Sequence, residues 1–171
     1  MPKNFGVELR RENQISMNQS FSFRIKIRPF EDLGGATKSE RIYFDFLVDK
    51  EPMSEILKTT KFDMIGAVCK SKHTDYELGK IKEFTLQTKS ELEGGRVIIY
   101  GCAECLDIGC GAFTAKIEKN GNSIIWRDFA YENGYEETDF DEYKEIGPFE
   151  FEVNNYLNEF EKIKNEVEQS V

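Results

Sequence analysis

The sequence predicts an α+β fold: a single domain, mainly antiparallel sheet, with a C-terminal amphipathic helix packed on it. Three patterns predict it. Phe21, Phe23, Ile25 and Ile27 alternate with Ser22, Arg24, Lys26 and Arg28, the two-residue period of a half-buried strand. Asn120-Gly121, a pair that tolerates positive φ, sits between two further alternating runs and predicts a hairpin. Val153, Tyr156, Leu157, Phe160, Ile163 and Val167 follow helical spacing and predict a helix over about 153–168. A chain of 171 residues is long enough to bury a sizeable core in one domain.

The elements follow in order. Pro29 ends the first strand by removing a ladder donor, and Gly34-Gly35 marks a loop. Alternation resumes through Ile42, Phe44, Phe46 and Val48, and antiparallel pairing places Asp45 opposite Arg24 or Lys26. Residues 51–57, with Pro52 and Glu55, predict a short helix. Residues 64–69 are continuously apolar and predict a buried strand, with helix as the alternative. Residues 81–86 predict a further strand, 90–95 a loop, and the β-branched run 96–100 a central strand. Closing the hairpin on Asn120-Gly121 as a type I′ turn pairs Ile117 with Ile124, Ala115 with Trp126 and Phe113 with Asp128. One face then carries Phe113, Ala115, Ile117, Ile124 and Trp126. Residues 132–152, with Gly134, Gly147 and Pro148, predict mostly loop.

Composition narrows the function. Asp and Glu number 32 against 23 Lys and Arg, a net charge of −9, which argues against a nucleic-acid partner. Residues 132–152 hold nine acids and one base, Lys144, so most of the excess sits in one segment. His73 is the only histidine, which excludes any site needing two His ligands. The start, residues 1–5, leads into polar sequence, and no apolar run approaches the ~20 residues of a membrane span. These features predict a cytoplasmic protein with reduced cysteines and no membrane partner. Neither G-x-G-x-x-G nor a phosphate-binding P-loop occurs.

Two segments carry candidate chemistry. The first is acidic and aromatic. Tyr135, Glu136, Glu137, Asp139, Asp141, Glu142 and Tyr143 combine negative charge with aromatic anchors, a surface suited to a basic protein. This predicts a non-enzymatic binding module, in its most concrete form an immunity or antitoxin protein that blocks a basic toxin domain. Arg24, Lys26, Arg28 and Arg41 form a basic strip expected to balance the acidic loop.

The second is C-x2-C-x4-C: Cys102, Cys105 and Cys110, between a predicted strand and the hairpin. Thiolates at x2 spacing share one ion because a tight turn points both sulfurs the same way. The alternative function is therefore a metal- or thiol-dependent protein, with zinc as the possible cofactor and Cys69 or His73 as the fourth ligand. A thioredoxin-type dithiol opens a helix, and here Gly109, Gly111 and a following strand leave no room for one. Asp107 is placed to bond the backbone of the turn.

The run Cys102-Ala103-Glu104-Cys105-Leu106-Asp107-Ile108-Gly109-Cys110-Gly111-Ala112, continued by Trp126-Arg127-Asp128-Phe129, resembles uncharacterised small bacterial proteins. Those proteins share a CxEC-x-D-x-GCGA turn followed by a WRDF strand. The resemblance implies a bacterial cytosolic protein and brings no established activity or functional residues.

Overall fold

The computed structural model describes residues 18–170; the polar start of the chain lies outside them. Strand β1 (Phe21–Arg28) pairs antiparallel with β4 (Arg41–Val48), and Arg24 faces Asp45 as expected. Between them β2 (Glu31–Asp32) and β3 (Thr37–Lys38) form a small hairpin around Gly34. A short β5 (Glu51–Pro52) completes a three-stranded sheet in the order β1-β4-β5. The one-turn helix α1 (Met53–Ile56) follows at once.

The second sheet has the order β10-β9-β8-β7-β6, all antiparallel: β6 (Met64–Gly66), β7 (Arg96–Cys102), β8 (Ala112–Asn120), β9 (Ser123–Glu132) and β10 (Phe149–Glu152). Helix α2 (Thr74–Phe84) precedes β7, and α3 (Val153–Glu168) follows β10.

Residues 67–70 stitch the sheets together. Phe44 N donates to Val68 O at 3.1 Å, Lys70 N to Ile42 O at 2.8 Å and Ala67 N to Ile99 O at 2.9 Å. The backbones come so close that a Cβ on Gly66 would lie 2.0 Å from Phe44 O, so only glycine fits. At the other end, Gln19 N donates to Glu150 O at 2.8 Å, bringing the segment that leads into β1 against β10.

Aromatic rings from both sheets and both long helices fill the interior. Phe46 and Trp126 meet edge to face at 5.5 Å, and Phe84 stacks on Phe160 at 5.4 Å. The indole Nε1 of Trp126 donates to Tyr156 Oη at 3.1 Å, and that hydroxyl donates to Phe84 O at 2.9 Å. The buried face of α3 is Val153, Tyr156, Phe160, Ile163 and Val167, while Leu157 is exposed. Glu152 caps this helix by accepting from Asn154 N and Asn155 N. None of the described helices is long and apolar enough to cross a membrane.

Several expectations are corrected. Residues 81–84 are the end of α2, not a strand, because Glu77, Ile81 and Phe84 form one buried helical stripe. The strand β10 lies inside the segment expected to be loop. Beside the turn the hairpin register is shifted by two residues, with Ile117 facing Trp126 and Asn120 facing Ser123, and beyond a bulge between Thr114 and Lys116, Phe113 faces Tyr131 rather than Asp128. Gly121 and Asn122 are thus the central turn residues, with positive φ at Gly121 but not at Asn122, the signature of a type II′ turn. The shift of two preserves the faces beside the turn, the bulge takes up the extra residue beyond it, and Phe113, Ala115, Ile117, Ile124 and Trp126 are all buried. In β1 only the first half reaches the core; Ile27 is 62% exposed. The basic strip does not serve the acidic loop: Arg24 pairs with Asp45 and Glu55, and Arg28 with Asp63 and Glu104.

Candidate metal centre

The centre is built where β7 turns back into β8. Cys102 is the last residue of β7, and Leu106 N returns to Cys102 O at 2.9 Å, closing a reversal around Ala103 and Glu104. Leu106 takes a positive φ of 54°, which carries the chain out of that reversal. Asp107 N then donates to Cys105 Sγ at 3.4 Å. The Asp107 carboxylate accepts from Gly109 N at 2.7 Å, and Cys110 N donates to Asp107 O at 3.1 Å. A single 3-10 turn, Ile108–Cys110, delivers the third sulfur. Gly111 has φ +87° and lies under Tyr131, whose hydroxyl would be 2.1 Å from a Cβ there; β8 begins at the next residue.

The outcome is three sulfurs, Cys102, Cys105 and Cys110, all within 4.8 Å of one another. Thiolates about 2.3 Å from a tetrahedral ion stand about 3.8 Å apart, so the spacing suits a single ion. Backbone N–H groups aim at the sulfurs: those of Glu104 and Cys105 at Cys102, and that of Asp107 at Cys105. Burial pushes the Cys102 thiol up, but those N–H groups and the neighbouring thiols outweigh it and bring the group below its ordinary value. The Cys105 thiol and the charge near Cys102 push Cys110 up to about 11. A soft cation bound by the trio would allow all three thiols to ionise together.

The residues between the first two cysteines are clamped from distant strands. Glu104 accepts from Ser39 N at 2.9 Å, Ser39 Oγ at 2.8 Å and Arg28 Nη1 at 2.6 Å. The Arg28 and Ser39 bonds hold its carboxyl down at about 2. Arg41 donates to Ala103 O at 2.7 Å and to Glu104 O at 3.0 Å. Such outer contacts fix a turn whose sulfurs must converge.

Neither expected fourth ligand belongs to the trio. Cys69 is buried behind the turn with Tyr43, Ile65, Ala103 and Leu106, its thiol donates to Gly66 O at 3.6 Å, and burial pushes it up to about 12. His73 stands before α2 and, with Cys105, lines a pocket of about 410 Å³. Arg41, Tyr76, Glu77 and Glu104 also line it. Glu77 is buried there, accepting from Cys69 N and Ser71 Oγ at 2.8 Å each. Burial raises its carboxyl against those bonds.

The acidic, aromatic residues are not all exposed. Tyr135 is 84% exposed, and Glu136, Glu137, Asp141 and Glu142 are exposed. Asp139 is half-buried and bridged to Tyr131. Tyr143 is buried, edge to face with Phe113 at 5.4 Å, and offers no anchor to a partner. The loop that carries Tyr135 lies against the cysteine turn, with the Tyr135 hydroxyl 3.1 Å from where a Cβ on Gly109 would be. The two segments singled out in the sequence therefore adjoin. The sequence signalled Asp107 but not Arg28, Ser39 or Arg41, which approach the turn from far along the chain.

Comparison with protein-family models, with curated proteins and with solved structures finds no match to this chain.

Proposed function

We propose that the protein binds a soft metal ion, zinc in the first instance, through Cys102, Cys105 and Cys110. The observation that carries this reading is the convergence of three sulfurs within 4.8 Å. It is supported by the N–H groups directed at Cys102 and Cys105 and by the outer clamp on Glu104. With three thiolates from the chain, the fourth position of a tetrahedral ion is left to water or to an added ligand. The ion would cross-link the end of β7 to the start of β8, joining sheet and turn.

Metal analysis of the purified protein tests this. About one zinc per chain is expected, lost in Cys102→Ser and kept in Cys69→Ser. Cobalt substitution should give thiolate charge-transfer bands in the near ultraviolet. Protein that takes up no zinc or cobalt, or a Cys102→Ser variant that binds as well as the parent, overturns the reading.

A second reading is favoured by Tyr135, a large ring 84% exposed beside Glu136 and Glu137. This surface suits a basic protein, such as a toxin domain held in check, through an aromatic anchor within a negative field. A pull-down should recover a basic partner in a salt-sensitive manner. If Glu136→Lys, Glu137→Lys and Asp141→Lys together leave that capture intact, the surface is not the binding site.

A further inference from the structure

Cys105 and Cys110 are the two exposed members of the trio, and their sulfurs stand 3.5 Å apart. A disulfide holds its sulfurs at about 2.05 Å, so closure needs a movement of about 1.5 Å, which side-chain rotation supplies. Cys110 also lies between Gly109 and Gly111, where the backbone has latitude to follow. Cys102 differs from both. It is half-buried, and its backbone is paired with Met64 at the end of β7.

We infer that Cys105 and Cys110 are a disulfide-forming pair, an oxidation site for small-molecule disulfides, with Cys102 left as a free thiol. This is not the C-x2-C pairing that the sequence spacing suggests first. The thiolate of Cys105 attacks one sulfur of the small disulfide RS–SR and expels RS⁻, which takes up a proton. The thiolate of Cys110 then attacks the Cys105 sulfur of the mixed disulfide and expels the second RS⁻, which is protonated in turn. The protein gives up two protons and two electrons, and the small disulfide becomes two thiols. Any ion at the centre loses two of its three donors. That last consequence rests on the metal reading, whereas the disulfide itself does not.

The experiment uses the full chain and oxidised glutathione. After an acid quench, free thiols are alkylated, and a protease that cuts after Glu and Asp separates the three cysteines at Glu104 and Asp107. Linked Cys105 and Cys110 peptides with alkylated Cys102 are expected. The Cys102→Ser variant should form the same link, while Cys110→Ser should stop at a glutathione adduct. Zinc-loaded protein should release one ion per disulfide formed. A link through Cys102, links between chains only, or no link overturns the proposal. A Cys105–Cys110 link in a chain that never held zinc or cobalt removes the metal reading alone. Zinc retained under glutathione with no link removes this proposal alone.

Discussion

The Arg28 guanidinium meets the Glu104 carboxylate at 2.6 Å, tying the last residue of β1 to the turn between the first two cysteines. The two residues are 76 positions apart, so the geometry of a local motif depends on a distant strand. Glu104 is held at about 2, below its ordinary 4.5. A carboxyl with a lowered value in the fold contributes stability above about pH 4.5 and loses it as the pH falls towards about 2. Its side chain is 42% exposed, so solvent screening leaves a contribution of about 1 kcal/mol. Thermal unfolding followed from pH 6 to 2 should therefore show the parent losing an increment over that window that Glu104→Gln lacks. Parallel curves for the two proteins would refute this.

Tyr156→Phe tests the polar link through the core. The variant leaves the Trp126 indole N–H and the Phe84 carbonyl without their partner in a dry interior. A loss of about 1–3 kcal/mol is expected from urea unfolding midpoints. An unchanged midpoint would mean that the hydroxyl contributes nothing there.

Two glycines should respond with opposite sign. Gly66→Ala forces a Cβ to within 2.0 Å of Phe44 O at the seam between the sheets, and a loss of about 3 kcal/mol or more is expected. Gly79→Ala meets nothing within 4 Å in the middle of α2 and should stabilise by roughly 0.5–1 kcal/mol. Melting temperatures of the pair decide it; equal shifts would be the contrary result.

Asp45 should not tolerate replacement by alanine. Its carboxylate is fully buried and accepts from Tyr100 Oη, Ser54 Oγ at 2.7 Å and Arg24 Nε at 2.9 Å. Removing it leaves the buried Tyr100 hydroxyl and the Ser54 hydroxyl and N–H without their acceptor, and a loss of about 3 kcal/mol or more is expected on chemical denaturation. Full stability in Asp45→Ala would show that water replaces the carboxylate.

Much of this fold was legible because its strands obey the two-residue period and its last helix keeps one apolar face. The exceptions have particular causes. Helix α2 was hidden because its buried stripe includes Glu77, a carboxylate used to hold Cys69 N and Ser71, where periodicity looks for an apolar side chain. Strand β10 was hidden because Phe149, Glu150, Phe151 and Glu152 make too short an alternation inside an acidic stretch. The hairpin faces were right and its register wrong, because Asn-Gly is consistent with more than one placement of the turn and both keep the same residues inside. The three cysteines were legible as a motif, and their convergence with their clamp was not. Arg28, Ser39 and Arg41 reach the turn only through the pairing of β1 with β4 and the stitching of 67–70.

Phe21, the first residue of β1, packs on Trp126 at 5.5 Å, Phe151 at 5.1 Å, Tyr156 at 4.7 Å and Phe160 at 5.4 Å. Every one of these partners is synthesised more than a hundred residues later. On the ribosome the strand can meet Phe46 of β4, 5.9 Å away, early, but the four rings that complete its cover emerge long afterwards. Contacts that span so much of the chain slow folding and lengthen the time at risk of aggregation. The interior thus joins β1 to α3, the first and last elements of the described residues, and its packing waits on contacts that span most of them.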